Sequence, residues 1–147
     1  MDFPLYAVPD PDQPLVVPRG AGKRGIWVFF EPAAEDPAEI KNFLAKVFGA
    51  AKVDFEQDTY YISLTKGAPI SFSQFSQAED AKYVFIFGIE GHRIGLHFRL
   101  PAYQPVRFGS AVYLMADSIA AIYQERKDGG KAMSGKLWKA LQHCFNL

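Results

Sequence analysis

Apolar positions in this chain follow two periods, and each predicts its own kind of element. The densest stretch is Tyr83-Val84-Phe85-Ile86-Phe87, five consecutive large apolar side chains entered from Lys82 and closed by Gly88. Unbroken rather than alternating hydrophobicity marks a strand buried on both faces, as in parallel sheets covered by helices. Ile26-Trp27-Val28-Phe29-Phe30 repeats the pattern. Further strands are predicted at Tyr60-Tyr61-Ile62-Ser63-Leu64, ahead of the breaker Lys66-Gly67-Ala68-Pro69, and at Ala111-Val112-Tyr113-Leu114-Met115.

The helical period appears after Asp36, which suits an N-cap, with Pro37 at the first helical position. Glu39 falls third, where its carboxylate reaches back to the cap and meets the positive end of the dipole. Ile40, Phe43, Leu44, Val47 and Phe48 then form one apolar stripe, and Gly49 is the predicted stop. A short helix is expected over Ile70 to Phe75. Asp117 or Ser118 caps a helix carrying Ile119, Ile122 and Tyr123 that ends before Gly129-Gly130, and a last helix runs from about Lys131 to Phe145. Its stripe is Met133, Leu137, Leu141, Cys144 and Phe145. Residues 94–108, with Pro101 and Pro105, predict an irregular excursion or hairpin edge in which Tyr103 is an exposed ring. Strand, helix, strand is a βαβ unit, and the expected fold is a three-layer α/β/α arrangement on a short, mainly parallel sheet of about four strands.

Two regions follow from the composition. Residues 1–25 contain Pro4, Pro9, Pro11, Pro14 and Pro18 and end in Arg19-Gly20-Ala21-Gly22-Lys23-Arg24-Gly25, so they read as a proline-rich N-terminal arm. Residues 26–147 read as a single α/β domain. The arm carries the apolar anchors Phe3, Leu5 and Tyr6. It is either a loosely docked tail or a peptide that orders in a partner's groove.

At 147 residues the chain can bury roughly two-thirds of its unfolded surface, enough for a self-sufficient core. Cys144 is the only cysteine, no apolar leader with a cleavage site opens the chain, and no apolar stretch reaches the roughly 20 residues that span a bilayer. The expectation is a soluble, cytoplasmic protein with no membrane association. Sixteen basic residues balance sixteen acidic ones, which argues against tight, direct nucleic-acid binding. Aromatic residues make up 15% of the chain, more than a core of this size needs, which suggests that some rings serve a protein partner.

Candidate chemistry is sparse. Ligands of open α/β sheets gather beyond the carboxyl ends of the strands, which places Glu90, His92 and Arg93 in the expected crevice. An acid/base pair with an anion clamp, acting on a small molecule or nucleobase, is one interpretation of them. A solvated turn of charged residues is the other. His92, His97 and His143 lack the spacing of a zinc site, and no metal or cofactor is expected. His143 and Cys144 are adjacent on a helix, so their side chains diverge by about 100°, and the thiol reads as a filler near the chain end. Asp54, Glu56 and Asp58 alternate but lack the ligand number and turn glycine of a calcium loop. Gly20-Ala21-Gly22-Lys23 precedes its strand and lacks the Ser/Thr of a phosphate loop.

The segment Ser134 to Phe145 is more suggestive, because Trp138 lies beside the Leu137/Leu141 stripe and widens the apolar face. Trp138 either covers the sheet edge or anchors a protein partner, with Lys136 and Lys139 as a polar rim.

The strand at Ile26 to Phe30, the helix with Phe43-Leu44 and Val47, the strand ending Phe87-Gly88, then Ala116-Asp117-Ser118-Ile119 and Lys136-Leu137-Trp138-Lys139-Ala140-Leu141 follow one another in an order that resembles the psi subunits of the bacterial DNA polymerase III clamp loader. The similarity spans residues 26 to 145. It implies the α/β/α fold of uracil-DNA glycosylases without their activity, and a noncatalytic adaptor in DNA replication. Such an adaptor joins the clamp-loader ATPase collar to a second small subunit that contacts single-strand-binding protein. In that family an N-terminal peptide docks on the loader, which gives the arm a role. Glycosylases place a water-activating Asp after the first strand and a His before Pro-Ser after the last. This chain has Pro32-Ala33-Ala34 and Met115-Ala116-Asp117-Ser118 at those places, so the matching basic residue is missing.

Overall fold

The two unbroken apolar runs lie side by side at the centre of a five-stranded sheet, where burial on both faces is compulsory. The computed structural model describes residues 18–32, 36–64, 80–89 and 100–145. The strands are β1 (Ile26–Phe30), β2 (Thr59–Ser63), β3 (Tyr83–Phe87), β4 (Val106–Phe108) and β5 (Ala111–Ala116), in the spatial order β2-β1-β3-β5-β4. β2, β1, β3 and β5 are mutually parallel, with Val28 level with Tyr61 and Phe85, and Phe85 level with Leu114. The fold is α/β and the sheet mainly parallel, with five strands rather than about four. The extra strand is β4, which pairs antiparallel with β5 and closes the edge as a hairpin. A three-residue strand holding Arg107 and two partly or fully exposed neighbours carries little apolar signal, so sequence pattern offers only a hairpin edge there.

Alternation along the strands divides the core. Ile26, Val28, Phe30, Phe85 and Phe87 face the helices, whereas Trp27, Phe29, Val84 and Ile86 face the other way. Each is essentially sealed from solvent. Burying a side chain of this size stabilises the fold by roughly 1.5–3 kcal/mol, so the sheet centre dominates the energetics. The helices α1 (Pro37–Ala50), α2 (Phe55–Asp58), α3 (Ile119–Lys127) and α4 (Ala132–Phe145) all contribute to the first cluster. No described helix contributes to the second, and the helix expected over Ile70 to Phe75 lies outside the described residues.

Helix α1 begins as its sequence predicts, with the Asp36 carboxylate accepting from the Ala38 N–H at 2.9 Å and Pro37 in the first turn. Glu39 does not close a capping box. Its carboxylate accepts instead from the Tyr123 hydroxyl of α3 at 3.1 Å, because a tertiary partner is within reach. The helix passes through Gly49 to Ala50, and the chain turns at Lys52 in the left-handed region with φ 65°. Ile40, Leu44 and Phe48 are buried, while Phe43 and Val47 are half-buried at the helix flank.

The glycine-rich stretch before β1 is tied to the body. Arg19 makes a two-way backbone pair with Tyr61, and the N–H groups of Ala21, Gly22, Lys23 and Arg24 donate to the carbonyls of Glu56, Thr59, Gln57 and Asp58. Gly20 and Gly22 have φ of 88° and 62°, and a Cβ on Gly20 would lie 2.2 Å from the Thr59 carbonyl oxygen. Glycine therefore lets the strand wrap the end of α2, and the amides that a phosphate loop would present to an anion are already engaged.

Candidate functional site

Three helices meet beside Trp138. Phe43 and Val47 of α1, Tyr123 of α3, and Leu137 and Trp138 of α4 line a groove of about 630 Å³ on the outer side of the helical layer. The arrangement follows from where each stripe ends. Ile40, Leu44 and Phe48 point into the sheet, so the flanking Phe43 and Val47 face sideways. On α4, Leu137, Ala140 and Leu141 are buried, and Trp138, one step of about 100° from Leu137, is directed along the surface. Phe43 and Tyr123 pack as a tilted pair with centroids 5.3 Å apart, which joins α1 to α3 across the groove floor.

The rim is basic. Lys46 of α1, Arg126 and Lys127 of α3 and Lys131 just before α4 all line the groove, and no carboxylate among the described residues does. Lys127 sits over the Tyr123 ring at 5.3 Å. The carboxylates nearest in sequence are engaged: Glu39 by the Tyr123 hydroxyl, Glu125 by the Met133 N–H at 2.9 Å, and Asp128 by the Gln124 amide. The side chains of Lys46, Arg126 and Lys131 are exposed and enter no ion pair among the described residues.

Lys136 and Lys139, the expected rim of Trp138, lie elsewhere. With Tyr103, Gln104, Pro105, Ala140 and His143 they line a second groove of about 360 Å³ on another side of α4. Residues one or two positions apart on a helix do not share a face, and local sequence proximity was the wrong guide here. The cations that do surround Trp138 come from α1, α3 and the α4 approach, and no sequence signal linked them to it.

At the carboxyl ends of β3 and β5 the described residues make structural contacts. Gly88 has φ 68°, and a Cβ there would lie 2.5 Å from the Ser118 Cα, so the chain entering α3 crosses directly over the end of β3. Asp117 accepts from the Tyr103 hydroxyl at 2.7 Å and returns its own N–H to the same oxygen at 3.2 Å. Tyr103 is therefore half-buried rather than an exposed ring. Its burial, and then the adjacent Asp117 carboxylate, hold the phenol well above its ordinary pKa. Asp36, nearest to the place of a glycosylase's water-activating Asp, serves as the α1 cap. Glu90, His92 and Arg93 lie outside the described residues, as do Phe3, Leu5 and Tyr6.

The remaining candidates have local structural roles. Asp54 caps α2 through the N–H groups of Glu56 and Gln57, and Asp58 accepts from the Asp54 N–H at 2.9 Å and approaches Arg24 at 3.6 Å. Glu56 pairs with Lys41 and accepts from the Tyr61 hydroxyl at 2.9 Å. The Lys41 hydrogen bond is the chief reason the Glu56 carboxyl titrates below its ordinary value. Burial pushes the Cys144 thiol up to about 11, so the protonated form, the weaker nucleophile, dominates near neutral pH. No helix among the described residues is long and apolar enough to cross a membrane.

Compared with known proteins, the chain matches no family model and no curated protein.

Proposed function

We propose that this chain is a noncatalytic protein-interaction adaptor, resembling the psi subunit of the bacterial clamp loader, and that the Trp138 groove is one of its contact surfaces. The observation that carries the proposal is the groove itself. A half-buried tryptophan beside two other rings, ringed by side chains that leave it accessible, has the make-up of an interaction hot spot. The α/β body with a mainly parallel sheet is consistent with the resemblance. On this proposal the proline-rich arm, read as residues 1–25, supplies a second contact through Phe3, Leu5 and Tyr6, so the chain bridges two partners in replication, in the cytoplasm of a bacterium.

The test is reconstitution with purified clamp-loader subunits on a sizing column. The expected result is co-elution of the full chain with them, lost when residues 1–17 are deleted. Separate elution of the full chain would sink the clamp-loader assignment. Trp138→Ala tests the groove in a pull-down from the native cell: unchanged recovery of every partner by a folded variant would remove it as a contact surface.

A further inference from the structure

The groove's chemistry goes further than its shape, because its floor and rim select different features of an occupant. The floor offers Phe43, Val47, Tyr123 and Trp138, all half-buried, so an occupant must present apolar anchors. Among the described residues the rim offers four cations and no carboxylate, on a chain whose formal net charge is zero, so the positive charge here is a local concentration rather than a general property. Three of those cations, Lys46, Arg126 and Lys131, have no internal acidic partner among the described residues. Exposed like charges gathered within one groove repel, and each gains from a carboxylate brought by a partner.

We infer that the Trp138 groove takes a short acidic segment of a partner protein, one or two apolar side chains of which insert between α1 and α4 while its carboxylates pair with Lys46, Arg126, Lys127 and Lys131. This rests on the adaptor proposal and specifies its ligand class. Single-stranded nucleic acid also combines negative charge with rings that stack. The peptide is favoured because the Phe43 and Tyr123 rings, with centroids 5.3 Å apart at the junction of the helices, are tilted against each other rather than laid open as a platform on which bases stack.

The experiment is selection of a random peptide-display library on the full chain, followed by anisotropy titration of an enriched peptide and of an oligothymidylate of about twelve nucleotides. Enriched peptides are expected to carry Asp or Glu around one or two apolar residues. Their affinity should fall by at least about tenfold in the double variant Lys46→Glu/Lys131→Glu and should weaken as salt is raised. Both lysines are exposed, so the double variant is expected to keep its fold, checked by circular dichroism; Trp138→Ala is the companion that removes the anchor. Enrichment of neutral or basic peptides, no enrichment at all, or binding indifferent to the two lysines would overturn the inference. Oligothymidylate binding that quenches Trp138 and displaces the peptide more tightly than a matched peptide competitor would overturn it in favour of nucleic acid. If Trp138→Ala loses native partners while the lysine variant keeps them, the acidic occupant fails and the adaptor proposal stands.

Discussion

Gly88 shows how far a single residue can matter here. Its φ of 68° and the 2.5 Å approach of the Ser118 Cα leave no room for a side chain, and the two nearest atoms, the Cα and N of Ser118, are backbone. Gly88→Ala is expected to cost about 2–4 kcal/mol, read as a fall in the urea midpoint, because left-handed strain and a backbone clash add. A midpoint unchanged within error would mean that α3 does not cross β3 as described. Cys144 makes a gentler test. With its thiol raised to about 11 by burial, alkylation near pH 8 should be several-fold slower in the native chain than in the chain unfolded in denaturant, and the native rate should climb with pH up to that value. Equal native and unfolded rates would show the thiol to be exposed. The thiol's place as a filler near the chain end was legible in sequence, but what covers either residue was not. A glycine after a strand predicts a turn, but what crosses it, and what covers a cysteine, depend on residues far away in the chain.

At the scale of elements, the caps and surface pairs set stability more than function. Asp36→Ala removes the acceptor for the Ala38 N–H and is expected to lower stability by about 1 kcal/mol while leaving the groove intact. The Lys41–Glu56 pair between α1 and α2 is largely exposed, so Glu56→Gln should cost less than about 1 kcal/mol at neutral pH. Because the native carboxyl titrates below its ordinary value, that contribution is present above the unfolded pKa and disappears as pH falls through the folded one. A difference between wild type and Glu56→Gln that grows in acid would contradict the pairing. The start of α1 was legible because Asp36 and Pro37 act locally. The fate of Glu39 was not, since its choice between the cap and Tyr123 depends on where α3 packs.

Across the whole molecule, stability should be graded from the centre of the sheet outward. β1 is paired on both sides and buried on both faces, so its amides should exchange only through global unfolding, whereas the three-residue edge strand β4 should exchange early by local opening. Hydrogen exchange resolved by residue checks this, and uniform protection across β1 and β4 would be inconsistent with the sheet order. The unbroken runs at Ile26–Phe30 and Tyr83–Phe87 pointed to doubly covered strands and an α/β fold, because runs this short, rich in β-branched and aromatic side chains and closed by breakers, suit a buried strand better than a buried helix. Helix stripes and caps were likewise written locally. The strand order, the tying of Arg19 to Arg24 around α2, and the site could be decided only by tertiary structure. Trp138 stood out in the sequence, but the lysines flanking it turned to another groove, and the cations that meet it come from segments some 7 to 92 positions away, at Lys131 and Lys46. Helical geometry separates neighbours and packing joins strangers, so a surface assembled from three helices has no signature in any one of them.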